Sequence, residues 1–161
     1  MTTSAVPVFL QFITSDSFVS RAIRAVTWSQ FSHVDLVVPS AIYYPSNGAM
    51  PDMLLGAQAD GVKLRPRNYC KMTKCALVYA NVTIEQSRTI YDFAMAQIGK
   101  PYDYTALMGN LLHRDWQEDD SWFCSELVAA AFAHAGVPLL RGNHSRITPG
   151  MLLQSPLLEA Y

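Results

Sequence analysis

Long apolar runs, runs of basic residues and paired cysteines are all scarce in this chain of 161 residues. No window approaches the roughly 18 uninterrupted apolar residues that a membrane span needs. Lys and Arg number 12 against 13 Asp and Glu, and no basic cluster marks a contact with a phosphate backbone. We therefore expect no transmembrane segment and no nucleic-acid partner.

Cysteine is too rare to build a disulfide framework. The three cysteines are Cys70, Cys75 and Cys124, an odd number, and the apolar start of the chain lacks a basic region and is interrupted by Pro7, unlike a secretory signal. The sequence therefore predicts reduced thiols and a cytoplasmic location. Because the Cys70–Cys75 spacing has no second ligand pair, we expect no metal ion, and no pattern suggests an organic cofactor.

Half of the residues are hydrophobic, which is enough for one substantial core, so we expect a single domain over residues 1–161. Strand patterns concentrate in the first half and helix patterns in the second. Together they predict an α+β fold, in which helices cover one face of a mainly antiparallel sheet. The predicted strands are 6–14, 32–38, 53–58, 62–66 and 75–82.

Helix boundaries rest on capping signals. Thr83 and Gln86 have capping-box spacing before a helix that runs to Ile98, and Thr148 precedes a proline that suits a helix start. An earlier amphipathic helix, capped by Ser15 or Asp16, is expected to turn its apolar side to the core; that side comprises residues 18, 19, 22, 23 and 26. A short helix is expected at 104–112, and loops at 43–52 and 113–120.

Cys124 stands where another helix should begin, after the aromatic Phe123 and before an apolar, alanine-rich stretch. Unpaired N–H groups and the positive end of the helix dipole stabilise a thiolate at that position. The nearby charges of Asp119, Asp120 and Glu126 oppose this effect. A buried cysteine is more commonly a small core residue, so a basic partner is needed to make Cys124 a nucleophile.

His33 is the best candidate for that partner. It begins an apolar strand and precedes Cys124 by 91 residues (124 − 33). A cysteine with a histidine distant in sequence is a catalytic pattern, although spacing alone does not establish contact. The other three histidines, His113, His134 and His144, are expected to be structural or solvated.

Four segments in this order resemble the circularly permuted, NlpC-type papain-like enzymes of the YiiX/YaeF branch: 32–37, 57–62, 99–104 and 123–128. In that branch the histidine strand precedes the cysteine helix, as here. The resemblance implies a fold in which the cysteine helix packs on a small antiparallel sheet that carries the histidine. It also implies that Cys124 attacks a carbonyl, that His33 holds and returns the proton, and that the intermediate is a thioester.

The third member of the site departs from the family pattern. A glutamate common near the second strand is absent, and Gly56 or Gln58 occupies the corresponding position. We expect Gln58 to orient His33 by accepting a hydrogen bond from the imidazole N–H. Asp35 is the runner-up, because residues two apart in a strand share a face.

The resulting functional hypothesis is a cysteine hydrolase that acts on a peptide or amide bond. Two alternatives stay open: transfer of the acyl group to a lipid or other acceptor, as in lecithin-retinol acyltransferase-like relatives, and a non-catalytic binding domain. A peptide, amide or acyl substrate is expected in the first two cases. The sequence identifies neither the scissile bond nor the oligomeric state.

Overall fold

Six antiparallel strands form one sheet in the part of the chain that the structure, a computed structural model, describes: residues 5–43, 52–102, 123–142 and 147–161. The sheet order is β4-β3-β2-β1-β5-β6, so β2 lies inside the sheet. The strands are β1 Ala5–Ser15, β2 His33–Val38, β3 Met53–Gln58, β4 Gly61–Pro66, β5 Met72–Thr83 and β6 Glu159–Ala160.

Five helices accompany the sheet in the same described ranges. They are α1 Phe18–Thr27, α2 Ser40–Tyr43, α3 Ile84–Ala96, α4 Cys124–His134 and α5 Pro149–Leu153. The predicted capping box is present at α3, where the side chains of Thr83 and Gln86 each bond the other's backbone N–H. Thr148 caps α5, as its sequence predicts.

The core lies between one face of the sheet and the helices α3 and α4. Leu10 pairs with Leu36 in the β1–β2 register, and both are buried in the same hydrophobic cluster as Leu127 and Phe132 of α4. Helix α4 packs on β2, β3 and α3. Because α4 begins at Cys124, this packing holds the thiol against the inner strands of the sheet.

The α+β fold with a packed antiparallel sheet is therefore confirmed, but the expectation for α1 is wrong at its start, where Phe18 and Val19 do not face the core. Its N-cap is Ser17, and its buried residues are Ser20 and Ile23. Ser20 Oγ donates to Ser32 Oγ over 2.7 Å, which turns the serine side of the helix inward. Phe18 is consequently exposed.

Helix α2 and the two-residue strand β6 were not predicted from the sequence. The expected loops at 43–52 and 113–120 and the expected helix at 104–112 fall largely or wholly outside the described residues. Within the described ranges, every helix is too short or too polar to cross a bilayer.

Candidate active site

Cys124 is the first residue of α4, and its side chain is buried, with 0% exposure. The N-cap residue Phe123 has an extended backbone and makes no side-chain capping bond. The first helical bond runs from Leu127 N–H to the Phe123 carbonyl oxygen (3.0 Å), so the Cys124 N–H lies ahead of the helical ladder. The thiol thus stands at the positive end of the helix dipole in a dry environment.

His33 opens β2 and shares a strand face with Asp35, two residues on. Its Nε2 lies 2.7 Å from Asp35 Oδ1, and the two side chains are 12% and 1% exposed. Cys124 is close enough to act on the pKa of the imidazole through its charge and a hydrogen bond. Because Nε2 faces the carboxylate, Nδ1 is the nitrogen that remains available to the thiol.

Three environmental effects act on the pKa of His33. Burial lowers it, whereas the negative charges of Asp35 and Cys124, together with their hydrogen bonds, raise it. The raising effects are larger, and the pKa moves from its ordinary 6.5 to about 10. The site therefore favours an imidazolium between two acidic groups at neutral pH.

Space for the Asp35 carboxylate comes from Gly56 on β3. Leu36 pairs with Leu55, which sets Asp35 opposite Gly56 on the neighbouring strand. A Cβ on Gly56 would lie 1.8 Å from Asp35 Oδ1 and 3.4 Å from His33 Nε2. The carboxylate occupies the volume that a side chain from β3 would otherwise fill.

Tyr69 and Gln58 extend the hydrogen bonds from the carboxylate. The Tyr69 hydroxyl donates to Asp35 Oδ2 over 3.0 Å and accepts from Gln58 Nε2. Burial and the Asp35 charge raise the pKa of Tyr69, so the phenol stays a neutral donor. The carboxylate therefore has a partner on each oxygen.

Gln58 reaches His33 as the sequence predicts, but with a different atom. Its Nε2 lies 3.3 Å from His33 Nε2. An amide nitrogen donates, and the ring N–H already points at the carboxylate of Asp35, so the two nitrogens are both donors. The sequence predicts that Gln58 accepts the hydrogen bond of the imidazole N–H. In the structure, Asp35 accepts that bond.

Comparison with known proteins identifies the chain. The pattern of the family described as permuted papain-like amidase enzymes, YaeF/YiiX, C92 family, matches residues 10–145. The chain belongs to this family. It is an amidase-family member in which the histidine strand precedes the cysteine helix.

A solved structure shares the fold of this permuted papain-like amidase. The crystal structure of the metalloprotein YiiX from Escherichia coli O157:H7 superposes with a TM-score of 0.67, at 18% identity, over 96% of this chain and 94% of that one. No curated protein matches the sequence at a significant level. The described residues of this amidase contain no group of three His, Cys, Asp or Glu side chains arranged to hold a metal ion.

Other candidate residues of the amidase lie outside this contact network or pack beside it. The Tyr102 ring packs on Phe123, with centroids 5.8 Å apart, and the His134 ring packs on Phe93. Cys75 is exposed and Cys70 half-buried. His113 and His144 fall outside the described residues. Sequence reasoning missed Tyr69, because a lone tyrosine between two strands carries no motif.

The first prediction concerns the space at Gly56. Gly56→Ala should displace the Asp35 carboxylate and destabilise the protein by about 1–3 kcal/mol, the usual cost of overpacking. Denaturant unfolding measures the loss. In an Asp35→Ala background the same change should cost far less. Equal costs in both backgrounds would mean that the two residues do not compete for this volume.

The second prediction concerns protonation of His33. Because its folded pKa is raised above the unfolded 6.5, the stability from its protonation is complete below about 6.5 and is lost as the pH rises through about 10. NMR titration of the His33 ring measures its pKa, and unfolding at several pH values measures the free energy of unfolding. Asp35→Asn should lower the His33 pKa.

Asp60→Asn is the matched control, since Asp60 pairs with Lys63 and Arg65 instead. It should leave the titration of His33 unchanged. A His33 ring that titrates near 6.5 in the unmodified protein would contradict the arrangement.

Proposed function

We propose that this family member hydrolyses amide bonds with Cys124 as nucleophile and His33 as proton carrier. The supporting observation is the thiol–imidazole contact at the start of α4, with the pKa of His33 raised by the acidic groups on its two sides. At the level of the family, the chain is a cysteine-type, papain-like amidase. The two named residues supply the chemistry that such an enzyme needs.

In the first half-reaction, the Cys124 thiolate attacks the amide carbonyl carbon and forms a C–S bond. The His33 imidazolium gives its proton to the leaving nitrogen as the C–N bond breaks. An amine departs, and a thioester with Cys124 is left. His33 becomes neutral and is then able to act as a base.

In the second half-reaction, neutral His33 takes a proton from water while the water oxygen attacks the thioester carbonyl. The C–S bond breaks, a carboxylic acid leaves, and the thiolate–imidazolium pair is restored. Both tetrahedral intermediates carry an oxyanion. The Cys124 N–H, which precedes the first helical hydrogen bond of α4, is suited to stabilise it.

Asp35 is the direct orienting group in this proposal. Its charge-assisted bond to Nε2 fixes the ring so that Nδ1 points to the thiol, and it stabilises the imidazolium. Gln58 acts through Tyr69, which holds the second carboxylate oxygen. The role predicted for Gln58 thus becomes that of a positioning residue one contact further from the ring.

Hydrolysis is favoured over the two alternatives considered from the sequence. The family description names an amidase enzyme. Acyl transfer would need a lipid or other acceptor in place of water, and a binding domain would need the catalysis to be lost. The substrate in this proposal is an amide, with peptides as a subclass. The cytoplasmic location, the single domain over 1–161 and the absence of a nucleic-acid partner stay predictions.

The third prediction uses site-specific alkylation of Cys124 by iodoacetamide, followed by mass spectrometry. We expect the labelling rate at mildly acidic pH to fall by about tenfold or more in His33→Ala, because the thiolate loses its cationic partner. Cys124 is buried and must become accessible before it reacts, at any pH. This step slows the acid and the alkaline rates alike, so the ratio of the two rates reports the thiolate fraction.

Cys75 serves as an internal reference in the same samples, since it is exposed. Its labelling should not respond to His33→Ala. Turnover of a panel of chromogenic amides should disappear in Cys124→Ala. An unchanged pH profile of Cys124 labelling in the His33 variant, or turnover without the thiol, would overturn the proposed pair.

The fourth prediction separates Asp35 from Gln58 by kinetics. Asp35→Asn should lower kcat/KM by about a hundredfold or more and shift the alkaline limb of the pH–rate profile to lower pH. Gln58→Leu should cost about tenfold or less and keep the limb in place, because the carboxylate still binds the ring. A larger loss in Gln58→Leu would return the orienting role to the amide.

A further inference from the structure

Three large apolar side chains of α1 and its C-cap are exposed to solvent. Phe18 is 85% exposed, Val19 55% and Trp28, the C-cap residue, 93%. Ala25, between them along the helix, is exposed as well. We call these four residues the α1 outer face. An exposed apolar patch of this kind commonly marks an interaction site.

Internal packing does not explain this orientation, because the inner side of α1 is satisfied by other groups. Ile23 joins the core, and Ser20 Oγ bonds Ser32 Oγ over 2.7 Å. Thr27 Oγ1 bonds the Ile23 carbonyl oxygen over 2.8 Å. An amphipathic helix in a soluble domain normally buries its apolar stripe, whereas here Phe18 and Val19 of that stripe stay exposed.

The backbone conformation of Trp28 is a second observation that points to a function of this surface. Its φ of 53° and ψ of 27° are left-handed, and it is the one non-glycine residue with positive φ in the described ranges. Helices usually end in this conformation with glycine, which has no Cβ to strain. The exposed Trp28 side chain gains no burial within the fold to offset the strain. Strain kept at an exposed aromatic residue points to a role outside the fold.

The charges around α1 indicate the chemistry of the partner. The ionisable residues of the helix are Arg21, which is exposed, and Arg24, which is half-buried; neither forms an ion pair with a described residue. Lys71 and Lys74 are exposed where β5 begins, beside the end of β1 that leads into α1. Asp16 is the acidic residue next to the helix. Cations thus prevail beside the α1 outer face.

We propose that the α1 outer face docks this protein on an anionic lipid surface. Phe18 and Trp28 mark the two ends of a helix of about 15 Å, the arrangement of an interfacial helix that lies in the plane of the bilayer. Exposed Phe and Trp enter the headgroup region, and the basic side chains meet lipid phosphates. One short helix gives weak, reversible attachment.

The position of α1 ties this surface to the candidate site. Helix α1 connects β1 to β2, and Ser20 bonds to Ser32, the residue before His33. A bilayer against α1 therefore lies at the end of the sheet where His33 begins β2. The docking itself requires no reaction at Cys124, so it stands whether or not the proposed hydrolysis is correct.

Co-sedimentation of the full chain with vesicles tests the proposal. The probes are phosphatidylcholine vesicles with and without about one part in four of phosphatidylglycerol. We expect binding to the anionic vesicles, weaker binding to the neutral ones, and about tenfold or greater loss of partitioning in Phe18→Ser/Trp28→Ser. Arg21→Gln should reduce binding to the anionic vesicles alone.

Tyr161→Ser is the matched control, since Tyr161 is 81% exposed but lies on another part of the surface, against Phe9. It should bind vesicles as the unmodified protein does. Trp28→Gly relieves the left-handed strain, so it should melt no lower than the unmodified protein while it loses vesicle binding.

Three results would overturn the proposal. The first is binding to neither vesicle, and the second is equal binding by the unmodified protein and the double variant. The third is a concentration-dependent dimer, in sedimentation without lipid, that Phe18→Ser/Trp28→Ser abolishes, because the α1 outer face would then join two copies of the chain. The double variant should unfold at the same temperature as the unmodified protein. Its loss of binding is then due to the changed surface and not to unfolding.

Discussion

A carboxylate in the interior of a protein is costly unless a cation and hydrogen-bond donors surround it. Asp35 has these partners on both oxygens: the imidazole of His33 on one, the hydroxyl of Tyr69 on the other. The carboxylate in turn keeps the ring charged and directed toward Cys124. The bare backbone of Gly56 gives it room. The candidate site therefore depends on one buried charge, and the surrounding strands are arranged to accommodate it.

The sheet and the helix contribute complementary halves to this arrangement. Strand β2 lies between β1 and β3, so His33 and Asp35 are fixed by pairing on both sides of their strand. Helix α4 carries Cys124 at its N-terminus, where the helix dipole and the free N–H groups favour negative charge. The two halves meet because α4 packs along β2 and β3. The imidazole and its carboxylate partner thus come from β2, and the thiol comes from α4.

Local signals made much of this fold predictable. The capping pairs at Thr83 and Thr148 fixed helix starts, and hydrophobic periodicity located five of the six strands. The predicted places of His33 and Cys124 at the starts of a strand and a helix are confirmed, and their catalytic roles stay predictions. The contact of Tyr69 was not predictable, since it arises from strand register and the path of a connection. Periodicity also groups the α1 residues by face without telling which face turns inward, and hydroxyl pairing reversed the expected orientation of Phe18.

The permuted order has a consequence for synthesis. The ribosome makes the chain from its N-terminus, and domains fold as their segments emerge. The strand with His33 and Asp35 is complete at Val38, 86 residues before Cys124 is added (124 − 38). In papain-like enzymes with the ordinary order, the thiol would wait for its base. Here the histidine strand comes first, so Cys124 joins the nascent chain only after strands β1 to β5 have been made.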